Sequence, residues 1–201
     1  MPSARGAARA TRERILDAAL ASFADRGFEA TSLDAVAATL GVRKQTILYH
    51  FGTKDALLEA VIDRSAADLA DALERALSKA GPGFERVEAL VKAVFRLAAR
   101  RPELLGLLRE VSRLGPPATT RLMDALDSLI ERARAFLEAE MDAGNVRRQD
   151  PRLLLLSVYS TVIGVATEAE VLRAVGVEPT ARSLLRRRNE LLEFLRSALV
   201  A

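Results

Sequence analysis

The stretch TSLDAVAATLGVRKQTILYHFGTKDALL, from Thr31 to Leu58, places the strongest local constraint on how this chain folds. Its first part repeats apolar residues at the i, i+3, i+4 and i+7 spacing of one helix face: Leu33, Val36, Ala37 and Leu40. Ser32 is a natural N-cap for this helix, and Gly41 stands where a helix ends in the left-handed conformation. The sequence therefore predicts a short helix that ends in a tight glycine turn.

A second short helix is predicted after this turn, from Arg43 to Phe51, and its first residues are polar. Thr53 then caps a long amphipathic run that begins at Lys54. Two short helices joined through a glycine turn, the second polar at its start, are typical of a DNA-reading helix-turn-helix. Residues 1–54 hold 8 Lys+Arg and 5 Asp+Glu, so the whole net charge of +3 lies on this segment. A local positive excess is what phosphate binding requires, although ordinary surface variation also explains three charges.

Helix-forming residues and regular breakers mark the rest of the chain. Gly81-Pro82-Gly83 and Gly115-Pro116-Pro117 are strong breakers, and no segment alternates with the period of a strand. We predict a disordered arm at residues 1–9 and, outside the helix-turn-helix, helices at Thr11–Arg26, Lys54–Lys79, Phe84–Arg100, Pro102–Leu114, Ala118–Ala143, Arg152–Val175 and Thr180–Leu199. The predicted fold is all-α, with about nine helices. Residues 1–54 form a helix-turn-helix domain, helix 54–79 connects, and residues 55–201 form a helical body.

Composition argues against several classes of protein. The chain has no cysteine and one histidine, His50, so it offers no thiolate chemistry and no clustered metal ligands. The sequence therefore predicts no enzyme, no metal and no cofactor. The apolar run Leu153–Thr167 is shorter than the roughly 20 residues of a membrane span. No signal peptide is recognisable, and a cytoplasmic location without membrane attachment is expected.

The last two predicted helices carry unusually broad apolar surfaces. Leu153–Ala166 is apolar nearly all round, and the final helix repeats leucines along a wide stripe. Two such helices from each subunit would form a four-helix bundle, which predicts a homodimer through this pair. The alternative is that both helices are interior helices of a monomer.

The helix-turn-helix segment also resembles a known family. The matching residues are Phe23, Gly27-Phe28, Thr31-Ser32, Val36-Ala37, Gly41-Val42, Thr46, His50-Phe51, Lys54 and Leu57-Leu58. In type, order and spacing they resemble the N-terminal signature of the tetracycline-repressor (TetR) family of bacterial transcription regulators. The resemblance covers roughly residues 10–60, and beyond residue 80 only length and helical character agree. Two positions depart from the family pattern: Leu48 replaces a frequent aromatic, and Gly52 replaces a frequent proline.

This resemblance implies a homodimer that binds double-stranded DNA at a palindromic operator and leaves it when a small-molecule inducer binds. It places Arg43, Lys44, Gln45 and Thr46 nearest the base edges, where arginine and lysine suit guanine and glutamine suits adenine. Phosphate or sugar contacts are implied for four further residues, Ser32, Tyr49, His50 and Lys54. A rival hypothesis is a helical dimeric adaptor protein that has lost DNA reading, since Leu48 and Gly52 depart from the pattern.

The resemblance also implies a ligand cavity in the helical body after residue 80. Candidate wall residues mix apolar bulk with a few hydroxyls: Phe95, Leu108, Ser112, Met123, Leu126, Tyr159 and Ile163. Such residues would suit a largely hydrophobic inducer with one or two polar groups. The alternative is ordinary core, since an apolar stripe of this kind is more often core than pocket.

Overall fold

The computed structural model of the protein describes residues 4–167 and 169–200, with side chains from 6 to 167 and from 171 to 200. The described residues form ten helices, which confirms the all-α prediction. They are α1 (Ala4–Arg26), α2 (Leu33–Leu40), α3 (Lys44–Phe51), α4 (Lys54–Leu77), α5 (Phe84–Arg100), α6 (Pro102–Leu114), α7 (Ala118–Asp142), α8 (Pro151–Thr167), α9 (Ala169–Ala174) and α10 (Ala181–Leu199). Outside these helices, the described residues contain one isolated β-bridge, between Val146 and Val200.

Local sequence signals account for most helix ends. The hydroxyl oxygens of Ser32 and Thr53 accept hydrogen bonds from the backbone N–H groups of Ala35 and Ala56, at 3.1 and 3.0 Å. Both residues are therefore the N-caps that the sequence predicts. Gly41 ends α2 with φ = 67°, in the left-handed region where glycine is favoured.

One prediction about helix extent differs from the structure, and residues 1–3 and 168 lie outside the described residues. The predicted disordered arm at residues 1–9 is wrong for residues 4–9, because α1 begins at Ala4 rather than Thr11. This segment is rich in alanine, the best helix former, and has no breaker stronger than Gly6. The predicted helix Arg152–Val175 corresponds to α8 and the six-residue α9, which are helical over the described residues 151–167 and 169–174.

The chain divides into two compact units. The first comprises the chain up to Ala67 together with Glu103–Ala125, and the second comprises Asp68–Pro102 together with the chain from Leu126 onward. In this division α6 and the start of α7 group with the N-terminal helices, and the functional division into 1–54 and 55–201 stays a prediction. In the first unit, one apolar stripe of α1 is buried: Ile15, Leu16, Ala19, Leu20 and Phe23.

The second unit has its own apolar core, to which α5, α7, α8 and α10 contribute. Among its buried residues are Phe95, Leu137, Leu154, Val162, Leu191 and Leu195. Several large apolar residues of the same unit remain exposed: Leu153, Leu156, Tyr159, Val171, Val175, Leu185 and Phe194. The unit therefore buries one side of α8 and α10 and leaves apolar side chains on their surface.

None of the helices in the described part of the chain combines the length and the apolarity that a membrane crossing requires.

Candidate nucleic-acid interface

The packing of α2 and α3 decides which side chains of α3 face outward. Val36 of α2 and Ile47 of α3 are fully buried, so each helix has one side fixed in the core. Gly41 reverses the chain between the two helices, and its N–H donates to the carbonyl of Ala38 at 3.2 Å. The residues of α3 that point away from Ile47 are therefore held outward by the fold.

Three predicted DNA contacts lie exposed on or beside α3. Arg43, Gln45 and Tyr49 are exposed, and Tyr49 has 85% of its surface accessible. Lys44, Thr46 and His50 are half-buried. The ring of Tyr49 lies edge-on to the ring of His50, with centroids 5.3 Å apart. The structure thus brings all six residues together on one short helix and at its N-cap.

The N-terminus of α3 has no side-chain cap. Arg43 occupies the N-cap position with extended backbone angles, and its side chain makes no capping hydrogen bond. The first N–H groups of a helix lack intrahelical acceptors and carry the positive end of the helix dipole. The N–H of Thr46 donates to the Arg43 carbonyl at 2.9 Å, which leaves the N–H groups of Lys44 and Gln45 for an anion such as a phosphate.

Lys44 is engaged within the protein. Its Nζ lies 3.0 Å from Oδ2 of Asp34 on α2, and both side chains are partly exposed. An ion pair of this kind contributes little to stability, because water screens it. It nevertheless lowers the positive charge that Lys44 presents, so base contact by Lys44 requires this pair to open.

Lys54 and Ser32 flank α3 at helix starts. The ammonium of Lys54 lies 4.2 Å from the centre of the Phe28 ring, and it donates a long hydrogen bond of 3.4 Å to the carbonyl of Glu29. Lys54 thereby links the start of α4 to the α1–α2 loop. Ser32 is exposed, and its hydroxyl accepts the capping bond and keeps its proton available for a phosphate oxygen.

The two positions that depart from the family pattern lie at the end of α3. Leu48 is half-buried, and its carbonyl accepts the N–H of Gly52 at 2.8 Å. Gly52 has φ = 76°, which proline cannot adopt because its ring fixes φ near −65°. The turn into α4 therefore has a backbone conformation that depends on glycine.

Sequence reasoning assigned no supporting role to two residues that hold this segment from behind, Thr31 and Glu110. Thr31 is buried, and its hydroxyl lies within hydrogen-bonding distance of two carbonyls, those of Ser22 and Gly27, at 3.2 and 2.8 Å. Glu110 of α6 is also buried and accepts the N–H of Phe28 at 2.6 Å. Both residues hold the loop that leads into α2. The length of sequence between Phe28 and Glu110 explains why no local pattern predicted their contact.

The charge of Glu110 is stabilised by its partners. Hydrogen bonds from the Arg113 guanidinium, with the Phe28 N–H as a further donor, hold the pKa of Glu110 below its ordinary value despite the opposing effect of burial. Nε and one terminal nitrogen of Arg113 each lie 2.8 Å from a carboxylate oxygen. Glu110 is therefore ionised near neutral pH, as its role of acceptor requires.

The seven candidate ligand residues are divided between the two compact units. Leu108, Ser112 and Met123 belong to the first unit, and Phe95, Leu126, Tyr159 and Ile163 belong to the second. Phe95, Leu108, Leu126 and Ile163 are buried, whereas Ser112, Met123 and Tyr159 are exposed. The Ser112 hydroxyl donates to the Leu108 carbonyl at 2.9 Å, which occupies its proton. Their role in ligand binding stays a prediction.

Comparison with known proteins agrees with this geometry. Residues 15–61 match the model of the family described as bacterial regulatory proteins, tetR family. The chain is 27% identical over 167 residues to the HTH-type transcriptional regulator RutR of Escherichia coli O157:H7. The aligned region covers 83% of this chain and 78% of RutR. It is also 27% identical over 179 residues to the HTH-type transcriptional activator FasR of Mycolicibacterium smegmatis, covering 85% and 80% of the two chains.

A solved structure has the same fold. The transcriptional regulator FadR from Bacillus subtilis, crystallised in complex with stearoyl-CoA, superposes with a TM-score of 0.76 at 19% identity, over 92% of this chain and 98% of FadR. An all-helical fold with an exposed α3 behind a glycine turn is typical of helix-turn-helix DNA-binding proteins. The residue 15–61 match and these relatives support a transcriptional regulator of the TetR family, with the family model matched by the N-terminal helix-turn-helix.

Proposed function

We propose that the chain is a homodimeric repressor that binds a palindromic operator and leaves it when a small molecule binds the helical body. In each subunit, α3 enters the major groove, with Arg43, Lys44, Gln45 and Thr46 nearest the base edges. The backbone of the operator is contacted by Ser32, Tyr49, His50 and Lys54. Through its contact with the operator backbone, His50 helps to orient α3 in the groove.

The exposure of Tyr49 is the observation that carries the proposal. Folding leaves 85% of this aromatic residue accessible, next to exposed Gln45 and Arg43, while Ile47 on the same helix is fully buried. A large aromatic side chain gains little from facing water, whereas beside a phosphodiester it packs on sugar and donates its hydroxyl. The uncapped N-terminus of α3 supplies further N–H donors for phosphate.

The surface of the second unit supports the homodimer. Leu153, Leu156 and Tyr159 of α8 and Leu185 and Phe194 of α10 are exposed in the single chain. Several large apolar residues on neighbouring helices favour association with another protein surface. A second copy presents the same residues, so a two-fold interface buries both sets at once.

The ligand part of the proposal is supported by a structural neighbour. FadR from Bacillus subtilis has the same fold and was crystallised with stearoyl-CoA, an apolar chain joined to a polar group. We accordingly propose a largely hydrophobic inducer for this chain and retain Phe95, Leu108, Ser112, Met123, Leu126, Tyr159 and Ile163 as candidate contacts. The relative FasR is an activator by name, so the direction of regulation is part of what must be tested.

Selection from random double-stranded DNA tests the proposed function, because a random pool contains candidate half-sites of every sequence. The protein is expected to enrich an inverted repeat whose half-site centres lie about one helical turn, or a multiple of it, apart. A variant with Gln45→Ala should enrich a motif that is relaxed at one position of each half-site, because one base contact is lost. Failure to enrich any motif would overturn the proposal and favour an adaptor protein that has lost DNA reading.

A further inference from the structure

The end of α4 and the facing side of α5 enclose an open cleft within the second compact unit. Its volume is about 680 Å³, which lies in the size range of small-molecule sites. The floor consists mainly of small apolar side chains: Ala72, Ala76, Ala89, Ala93 and Leu97. None of the seven ligand candidates named above lines this cleft. It is therefore a separate feature of the helical body.

The walls of the cleft are strongly basic. Six cations line it, Arg75, Lys79, Lys92, Arg96, Arg100 and Arg101, against two carboxylates, Glu85 and Glu88. Clustered like charges raise the energy of the empty cleft unless anions compensate them. Whether each cation already has a carboxylate partner in the protein therefore decides how much anionic charge a ligand of the cleft would need to supply.

Half of the cations are already compensated by the protein. Arg75 lies 3.8 Å from Asp71, Lys92 lies 3.0 Å from Glu88, and Arg101 lies 3.6 Å from Asp68. Glu85 is also occupied, because its Oε2 accepts the backbone N–H of Gly81 at 3.1 Å.

The other three cations have no such partner. Within the described side chains, no carboxylate lies within 4.0 Å of Lys79, Arg96 or Arg100. All three line the same cleft and are exposed to solvent. They therefore leave an uncompensated positive charge beside an apolar floor.

These two properties together specify the occupant. An apolar floor favours a hydrocarbon group, because burying apolar surface contributes about 25 cal/mol per Å². Arginine and lysine favour carboxylate or phosphate, arginine as a planar donor of paired hydrogen bonds. A neutral hydrocarbon would leave these cations without an anionic partner. A bare inorganic anion would leave the apolar floor exposed to water.

We propose that the cleft between α4 and α5 binds an amphipathic anion, with its hydrocarbon part on the alanine floor and its carboxylate or phosphate at Arg96 and Arg100. Lys79, which follows the end of α4, adds a third positive charge to the lining of the cleft. The proposal concerns binding by the protein without DNA, so it stands or falls independently of the operator-binding function.

Isothermal titration calorimetry with four probes tests this site. The probes are decanoate, decyl phosphate, the uncharged decyl maltoside and inorganic phosphate. The three amphipathic compounds are used below the concentrations at which they form micelles. Decanoate or decyl phosphate should bind at least tenfold more tightly than decyl maltoside and than inorganic phosphate. The stronger of the two anions identifies the head group, carboxylate or phosphate, that the cleft prefers.

Paired variants assign the binding to the cleft. Arg96→Gln with Arg100→Gln should weaken the anionic probe at least tenfold. The matched control is Arg147→Gln with Arg182→Gln, two exposed arginines outside the cleft lining, and it should bind as the unmodified protein does. A third variant, Ala76→Glu, places a carboxylate in the floor and should abolish binding. Circular dichroism melts show which variants are folded.

Three outcomes would overturn the proposal. Equal weakening by both arginine pairs would show a general charge effect, and equal binding of decyl maltoside would show hydrophobic adsorption elsewhere on the surface. Absence of detectable binding by either amphipathic anion to the folded, unmodified protein would exclude the site.

Discussion

The carboxylate of Glu110 on α6 accepts a 2.6 Å hydrogen bond from the backbone N–H of Phe28, 82 residues earlier in the chain. Phe28 stands in the loop between α1 and α2, directly before the helix-turn-helix. A Cβ atom added at Gly27 would lie 3.3 Å from Oε1 of Glu110, and Gly27 has φ = 86°. Glu110 therefore fixes the backbone that leads into α2. Gly27 suits its position because it lacks a Cβ atom that would crowd this carboxylate and because its φ is positive.

Replacing Glu110 tests this anchoring role. Glu110→Ala removes an ionised acceptor from the half-buried N–H of Phe28, so the free energy of unfolding should fall by about 2 kcal/mol. Arg113→Ala is the matched control, because the Arg113 side chain is 56% exposed, and it should lower the free energy of unfolding by less than Glu110→Ala does. Urea denaturation followed by circular dichroism measures both values. Equal losses for the two variants would show that the ion pair, and not the Phe28 contact, is what matters.

The pH dependence of stability gives a second test of Glu110. The folded pKa of Glu110 lies below its ordinary value of 4.5, so the charged form stabilises the fold above that value. This contribution is lost as the pH falls through the lowered folded pKa. The difference in unfolding free energy between the unmodified protein and Glu110→Gln should thus be constant near neutral pH and shrink below about pH 4.5. A difference that grows on acidification would contradict the assignment.

Tyr49 should separate DNA binding from stability. Because Tyr49 is 85% exposed, Tyr49→Ala should change the free energy of unfolding by less than about 0.5 kcal/mol. Loss of its phosphate and sugar contacts should weaken operator binding by about 1–2 kcal/mol, or about 5- to 30-fold. Fluorescence anisotropy on the selected operator measures the affinity. An unchanged affinity would exclude Tyr49 from the interface.

Asp34 is expected to restrain DNA binding. Its carboxylate pairs with Lys44 at 3.0 Å and neutralises one charge that faces the predicted operator. Asp34→Asn should free Lys44 and strengthen binding by about three- to tenfold at low salt, an advantage that shrinks as salt screens the added charge. Asp25→Asn, an exposed α1 carboxylate for which no ion pair with a described residue is found, is the charge-matched control. Equal gains in both variants would indicate a long-range charge effect.

The proposed dimer surface is tested by inserting charge into it. Leu156→Arg together with Phe194→Arg should dissociate the dimer, because both residues are exposed in the single chain and an isologous interface would bury each of them twice. Sedimentation equilibrium should then report the mass of one chain in place of two. Met123→Arg changes another exposed apolar residue outside α8–α10 and should leave the mass unchanged. An unmodified protein that sediments as one chain would refute the homodimer.

Local signals explain why much of this fold is readable from sequence. The Gly81–Gly83 breaker, Pro102 and the Gly115–Pro117 breaker determine the bounds of α5 and α6, which agree with the prediction at every end. Caps act over three residues, so Ser32 and Thr53 were identifiable from their immediate neighbours in the chain. The extent of α1 was not, because its alanine-rich start has no cap or strong breaker to mark a beginning.

Tertiary contacts set the limit of prediction for the candidate site. The outward side of α3 follows from the burial of Ile47, which helical periodicity indicates. The engagement of Lys44 by Asp34, and of Lys54 by Phe28, depends on how separate helices pack, and no spacing rule predicts it. The basic cleft likewise combines residues of α4 and α5 that become neighbours only after folding.

The most direct test of the DNA-reading role of α3 is fluorescence anisotropy on the selected operator and on a scrambled duplex, across a salt series. The protein should bind the operator at least about a thousandfold more tightly than the scrambled duplex, and the logarithm of its affinity should fall linearly with the logarithm of salt concentration. Lys54→Ala should reduce the slope by about one phosphate contact per subunit. Equal and weak binding to both duplexes, with no dependence on Tyr49 or Gln45, would contradict the assignment of α3 as a DNA-reading helix.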